Sequence, residues 1–247
     1  MTELTVVVAS LCIGAFVKGL TGFGLPQVAV PILAVFLGVE HAVIIMAIPG
    51  VVSNLWLLHQ HRGPREPRRL HLRVMMVGSV VGAAGGTLLL KSLDNRLLSM
   101  VLALLILGYV VVTTTRPAFR IPQVVHRVTA LPVGLLAGGL QGAAGISGPL
   151  LTTYMHGLRL RSSTYVYALN ALFLIGSVTQ TATFLAIGAY DRALLGQSVI
   201  ALVPIAIGLP LGSWAHRHLS SRTFNTAVLV LLALLGVKLA LGALQVA

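Results

Sequence analysis

A short glycine-rich stretch inside otherwise continuous apolar sequence places the strongest constraint on this chain. It runs from Lys18 to Pro26 (KGLTGFGLP), and a related stretch returns 123 residues later at 141–149 (QGAAGISGP). Glycine and proline weaken or interrupt a helix, and lipid cannot satisfy the backbone groups that are set free. Two copies of an interrupted helix in one hydrophobic chain are typical of transporters, where such elements form the binding site.

The composition indicates an integral membrane protein. Of 247 residues, 57% are hydrophobic and only 9% are charged, whereas a soluble domain carries about 25% charged residues. The chain has 17 Lys and Arg against five Asp and Glu. Such an excess is found in nucleic-acid-binding proteins and in the cytoplasmic loops of membrane proteins. Here the basic residues fall between the apolar runs, so we expect a lipid bilayer and no nucleic acid as partner.

The apolar arms beside each glycine-rich stretch are short. The first stretch lies between apolar runs at 4–17 and 26–38, and the second between runs at 129–141 and 149–157. An arm of about 13 residues is roughly 20 Å long as a helix, and the hydrocarbon core is about 30 Å thick. We therefore predict two helical hairpins with their tips inside the membrane. The alternative is a helix that continues through the glycines, so that both arms cross.

Three further apolar runs in each half predict three crossing helices per half. The predicted fold is an all-α, polytopic transmembrane protein of two repeats, each with a broken-helix hairpin and three crossings. We place the first repeat at 1–115, a cytoplasmic linker at 116–128 and the second repeat at 129–247. The predicted crossings are 41–60, 74–90, 97–115, 163–189, 196–215 and 223–245.

Later matches extend the internal duplication. Gly82 and Gly86 correspond to Gly208 and Gly212 at a spacing of 126 residues. The increase from 123 to 126 indicates one small insertion between the matched segments. Matches in both parts of each half are what a duplicated transmembrane unit produces.

The distribution of basic residues favours an inverted arrangement of the repeats. If each hairpin enters and leaves on one side, the loops place twelve Lys and Arg on one face and three on the other. If each hairpin crosses once, the same residues divide nine to six. The positive-inside rule prefers the first arrangement. We expect inverted repeats in the cell inner membrane, with both termini outside the cytoplasm.

Lys18 is the most informative polar residue, because a lysine deep in hydrocarbon costs about 3 kcal/mol. A bound anion would compensate this cost; snorkelling to water or a structural ion pair would do the same. The helices that begin at Pro26 and Pro149 direct their positive ends toward the two tips, which favours an anion. Ser147 is a candidate helix cap or ligand.

Other polar residues at membrane depth could face the tips or hold helices together by hydrogen bonds. No Asp or Glu lies in the middle of a predicted span and no phosphate-binding loop motif is present, so we expect neither a carboxylate proton relay nor an enzyme. The single cysteine, Cys12, leaves no cysteine metal site, and we expect no metal or cofactor. The predicted substrate-binding residues are Lys18, Gly19, Thr21, Gly22, Gly24, Pro26, Asn54, Gln141, Gly142, Gly145, Ser147, Gly148 and Asn170.

With these features the chain resembles the sulfite exporter TauE/SafE family of permeases, also called the TSUP family. The resemblance rests on the glycine-rich turn at 19–24, its return at 142–148, and the His-Arg-Gly segment at 61–63. It implies a transporter of small sulfur-containing anions such as sulfite or organosulfonates, and export is the expected direction. A passive anion channel and a non-transporting assembly subunit are the alternatives, and a homo-oligomer stays open.

Overall fold

The described part of the chain is a bundle of helices. A computed structural model describes residues 3–60, 71–115, 120–216 and 221–245, with side chains up to 216 and again from 226 to 244. Within these ranges there are eleven helices and no strand. They are α1 (Glu3–Thr21), α2 (Leu25–Leu37), α3 (Val39–Gln60), α4 (Leu72–Ser92), α5 (Asn95–Thr115), α6 (Gln123–Ala144), α7 (Gly148–Gly157), α8 (Ser162–Ala186), α9 (Arg192–Ile200), α10 (Leu202–Ala215) and α11 (Ser221–Gln245).

Seven helical segments in the described ranges are long and apolar enough to cross a membrane: α1, α3, α4, α5, α8, α9 joined with α10, and the Thr226–Leu244 part of α11. Six of them correspond to the six predicted crossings. The all-α, multi-pass prediction is therefore confirmed. The basic loop residues 61–70, 116–119 and 217–220, which include the His-Arg-Gly segment, lie outside the described residues.

Both glycine-rich stretches interrupt a helix, but the predicted arm lengths were wrong for the first arms. Helix α1 has 19 residues and α6 has 22, while the second arms, α2 and α7, have 13 and 10. At 1.5 Å per residue, α1 is about 28 Å long and α6 about 33 Å. The first glycine of each stretch stays helical; the break comes at the next one. Gly22 and Gly145 have φ values of +82° and +67°, a left-handed backbone conformation that strongly favours glycine.

Each long arm and its short partner form an antiparallel hairpin. In the first hairpin Gly14 lies against Leu25 and Ala29 of α2. At the base of the second, the Ile121 amide donates to the Gly157 carbonyl oxygen at 2.8 Å. The second arm of that hairpin thus returns to the level at which α6 begins.

Small residues allow two pairs of helices to approach backbone to backbone. A Cβ added to Gly212 would lie 2.2 Å from the Phe16 carbonyl oxygen, and one added to Gly19 would lie 2.3 Å from that of Leu209. The same contact joins α4 to α6, where a Cβ on Gly82 would lie 2.0 Å from the Leu135 oxygen. Close packing of this kind is the expected role of small residues in transmembrane helices.

These glycine contacts also give the relative helix directions. Gly208 lies against residues 12–16 of α1, and Gly212, one turn later, lies against residues 16–20. Gly134 lies against Met75, and Gly142, two turns later, against Ala83 and Thr87. The residue numbers rise together in both pairs, so α1 runs parallel to α10 and α4 runs parallel to α6.

The helix boundaries follow the internal repeat. Adding 123 to the end of α1 (21) and to the starts of α2 and α3 (25 and 39) gives 144, 148 and 162, the matching boundaries of α6, α7 and α8. Adding 126 to the start of α5 (95) gives 221, the start of α11. The three-residue insertion therefore falls between α8 and the end of α10.

Contacts between the halves join equivalent positions. A Cβ added to Gly22 would meet Val166 at 3.1 Å, and one added to Gly145 would meet Val43 at 3.1 Å; Val43 and Val166 are themselves 123 residues apart. The Asn54 amide lies 3.5 Å from the Ser177 hydroxyl, its own counterpart. Each hairpin tip thus packs on the third helix of the other half.

Candidate functional site

A cavity of about 1220 Å³ reaches the first hairpin tip. Its lining includes residues 21–24 and Gln27, where α1 turns into α2. Its lining also includes three exposed side chains at or beyond the ends of helices: Gln60, Arg159 and His216. These side chains border the loops that the charge pattern assigns to the cytoplasm.

The first tip is held in place by its own hydroxyl and by the other half of the chain. The Thr21 hydroxyl donates to the Phe23 carbonyl oxygen at 2.6 Å. The Asn170 amide, from α8, donates to the Gly22 oxygen at 2.9 Å. Helix α2 then begins with Pro26 in its first turn, and its cap residue, Gly24, supplies no side-chain acceptor. The N–H groups of this first turn are thus without a side-chain cap, which suits an anion.

Gln27 lines the cavity beside the first tip, and the sequence analysis missed it. Its side chain is only 5% exposed, and its Nε2 atom has no hydrogen-bond partner among the described residues. That nitrogen lies against the start of α7: a Cβ added to Gly148 would be 1.8 Å from it. A buried amide donor beside the positive end of a helix is unfavourable unless an acceptor joins it, and an anion is such an acceptor.

Lys18 lies behind the tip and does not line the cavity. It is 1% exposed; its Nζ donates to the Ser53 hydroxyl at 3.1 Å and to the Asn54 side-chain oxygen. Among the described residues the one ion pair is Lys91–Glu40, so no described carboxylate accompanies Lys18. Neither snorkelling to water nor an ion pair within the described residues accounts for it. If it is charged, an anion nearby would offset the cost of its burial.

The second tip is closed and bonded to itself. Gln141 and Ser147 are buried, at 5% and 3% exposed, and the Ser147 hydroxyl donates to the Gln141 side-chain oxygen at 2.9 Å. Gln180 adds a bond of 2.7 Å to the Gln141 backbone oxygen. Ser147 precedes α7 but makes no capping bond, so the expectation of a hydroxyl cap was wrong. Its proton goes to the neighbouring glutamine instead.

The structure separates the predicted site residues into three groups. Gly19, Thr21, Gly22 and Gly24 line the cavity, with Pro26 in the adjoining helical turn. Asn170 supports that tip from behind, whereas Asn54 binds Lys18. The residues of the second stretch do not line the cavity, although Gly148 lies against Gln27: Gly142 packs on Ala83 and Thr87, and Gln141, Gly145, Ser147 and Gly148 form the buried tip.

Sequence reasoning also missed the polar wall on α5, α7, α8 and the turn between α7 and α8. A comparison of the repeats would have found much of it, since Thr152 and Thr153 stand where α2 has Ala29 and Val30. A polar residue in one copy and an apolar residue in the other is the sequence feature that marks this wall. Its residues are Tyr109, Thr113, Thr152, Thr153, His156, Arg159, Ser162, Ser163 and Tyr165.

Among the described residues, the cavity offers neutral hydrogen-bond donors, a helix N-terminus and Arg159, a combination that suits a small anion. No described group of three or more His, Cys, Asp or Glu residues could hold a metal ion. The polar groups of the lining are suited to binding a small solute.

Comparisons with known proteins gave a match to a protein family. No curated protein and no solved structure matched the chain. The family model described as sulfite exporter TauE/SafE matches residues 6–239. This match covers nearly all of the 247 residues. The chain therefore belongs to the sulfite exporter TauE/SafE family of membrane transporters.

Proposed function

We propose that this protein exports small sulfur-containing anions, such as sulfite or organosulfonates, across the cell inner membrane. One observation carries the proposal: the lining of the cavity brings together the first tip, from which α2 begins without a side-chain cap, and Gln27, whose buried side-chain nitrogen has no partner among the described residues. Sulfite and sulfonate oxygens are strong acceptors for such donors.

Positive charge is arranged along the route to this site. Arg159 is exposed and lines the cavity, where it raises the local concentration of anions. Lys18 is buried behind the tip and belongs to a site of low effective dielectric, where a charge acts more strongly than in water. We propose that Lys18 contributes a positive electrostatic potential at the site, while Gln27 and the start of α2 contact the anion directly.

The helix directions support an inverted repeat. An antiparallel hairpin brings the chain back to the side from which it entered. The three crossings α3, α4 and α5 then carry the chain to the opposite side, so the second hairpin starts from there. In this arrangement α1 and α10 point the same way, as do α4 and α6, and both pairs pack in parallel. We propose repeats at 1–115 and 129–247, with a cytoplasmic linker at 116–128 and both termini outside.

The membrane potential favours export. Moving a monovalent anion out of a negative interior releases about 2.3 kcal/mol per 100 mV, so the cycle does not require a carboxylate proton relay. The family supports the proposal of transport in place of catalysis. The proposed partners are a small anion and the lipid bilayer, with no nucleic acid. The proposal is compatible with a homo-oligomer.

The test is efflux from proteoliposomes loaded in turn with sulfite, thiosulfate, sulfoacetate, taurine, sulfate and carboxylates. We expect saturable efflux of at least one sulfur-containing anion, accelerated by an interior-negative potential. Efflux faster than a carrier cycle and without saturation would identify a channel. No flux of any compound from folded protein would favour the assembly subunit and refute the proposal.

A further inference from the structure

The internal repeat allows each residue of the open cavity to be compared with its counterpart in the other half. On α11, Val228 and Leu229 line the cavity; 126 residues earlier, Leu102 and Ala103 on α5 are 0% and 2% exposed. The lining of one half thus corresponds to closed core in the other.

The same relation holds for the short arms of the hairpins. Thr152 and His156 of α7 line the cavity, and their counterparts on α2, Ala29 and Leu33, are fully buried. Leu33, Leu102 and Leu239 belong to one packed apolar cluster. This cluster occupies the place that the repeat assigns to a second cavity.

We propose that this cluster is the closed outer half of the transport route, a second cavity that opens when the first one closes. The inference rests on the proposed transport function and adds the residues that line this second cavity, which we call the exit. Its lining would come from Leu33 and Phe36 on α2, Leu102 and Ile106 on α5, and Lys238 on α11.

Three contacts at the outer side hold the exit shut. Lys91 pairs with Glu40 at 2.6 Å, with both side chains about two-fifths exposed. The Asn95 side-chain oxygen accepts from the Val39 amide at 3.0 Å. Together they tie the junction of α2 and α3 to the turn between α4 and α5. We call the Lys91–Glu40 ion pair and the Asn95–Val39 hydrogen bond the outer latch.

The third contact is a cation–π interaction: the Lys238 ammonium lies 5.4 Å from the centre of the Phe36 ring. The counterparts of these residues in the other half, Val112 and Arg159, both line the open cavity. Among the described residues, Arg159 just beyond the end of α7 thus corresponds to the outer Phe36, and Lys238 on α11 corresponds to the inner Val112. Opening the exit would release Lys238 toward a departing anion.

The two mouths differ in polarity. Thr152 and His156 on α7 and Arg159 just beyond it correspond to Ala29, Leu33 and Phe36 on α2. An apolar lining closes as a dry core, whereas a polar lining tolerates water. Burial of the outer residues then favours the inward-facing state, and the exposed latch adds only a small increment.

The experiment measures cysteine accessibility in a Cys12→Ala background in oriented vesicles, with a membrane-impermeant thiol reagent applied from one side at a time. Val228→Cys and His156→Cys should react from the cytoplasmic side. Their counterparts, Leu102→Cys and Leu33→Cys, should react slowly and only from the outside. Leu104 is 71% exposed on the side of α5 that faces away from the protein. Leu104→Cys therefore serves as the lipid-facing control and should not react.

Breaking the outer latch tests the mechanism. Glu40→Gln should raise external labelling of Leu102→Cys and Leu33→Cys by about two- to fivefold, the range for loss of a surface ion pair. Arg96→Gln, an exposed charge outside the latch, should change neither rate. Monodisperse size-exclusion profiles exclude misfolding as the cause.

Two outcomes would overturn the exit. One is labelling of both outer cysteines from the cytoplasmic side; the other is no external labelling in any background, although Val228→Cys still reacts. The readout does not depend on the substrate, so absence of sulfite flux with correct labelling would refute the proposed substrate and leave the exit standing.

Discussion

Replacement of Gly22 by alanine tests the geometry of the first tip. At φ +82° an L-residue costs about 1–2 kcal/mol relative to glycine. The added Cβ would also lie 3.1 and 3.2 Å from the two methyl groups of Val166, so that side chain must shift. Together these effects predict a loss of about 1–3 kcal/mol in the free energy of unfolding.

The assay is SDS-induced unfolding of purified protein in mixed micelles, read by circular dichroism. Gly145→Ala is the matched variant in the second tip, with Val43 at 3.1 Å, and should lose a similar amount. Gly85→Ala is the control, because no atom lies within 4 Å of the added Cβ; in a helix interior it should gain about 0.5–1 kcal/mol.

A double-mutant cycle separates the two contributions. Measured against Val166→Ala alone, Gly22→Ala should lose only the backbone part, about 1–2 kcal/mol, because the clash is gone. Wild-type stability of Gly22→Ala would refute the argument. So would full rescue by Val166→Ala, because the left-handed backbone would then carry no cost.

Three further predictions concern the polar residues. Lys18→Gln should weaken anion binding by about 5- to 30-fold, because the anion loses the field of a nearby buried charge at low effective dielectric, while Arg96→Gln should leave affinity unchanged; equal affinities in isothermal titration would remove Lys18 from the site. Asn170→Leu should lower transport by loosening the first tip, since the Gly22 carbonyl oxygen loses its hydrogen-bond donor. Unchanged efflux would show that the tip keeps its conformation without this hydrogen bond. Cysteines at Arg159 and Asn95 in the Cys12→Ala background should react from opposite sides, with Arg159→Cys cytoplasmic; reaction from the same side would refute the inverted topology.

The sequence was sufficient to predict the crossing helices, because long apolar runs bounded by charged loops are explained by helices that span a membrane. It misjudged the first hairpin arms because Gly19 and Gly142 look like helix breakers when read locally. In the structure they remain helical, since backbone contacts with α10 and α4 require the absence of a side chain. Only tertiary packing distinguishes these glycines from Gly22 and Gly145.

The candidate site shows the same limit. The tips and their glycines could be predicted from the repeat, but Lys18 faces Ser53 and Asn54 instead of the cavity. The direction of a helical side chain depends on the neighbours of its helix, which periodicity alone does not give when all faces are apolar. Gln27 was overlooked for a related reason, because its role depends on the contact with Gly148 in the other half.

The central claim is that an anion passes the first tip and is bound there by Gln27. The most direct measurement is sulfite efflux from proteoliposomes for wild type, Gln27→Leu and Gln123→Leu, the last being the same change at an exposed position. Loss of a hydrogen bond to a charged ligand predicts at least a tenfold rise in the half-saturating concentration for Gln27→Leu, with Gln123→Leu equal to wild type. Wild-type kinetics in Gln27→Leu would contradict the account.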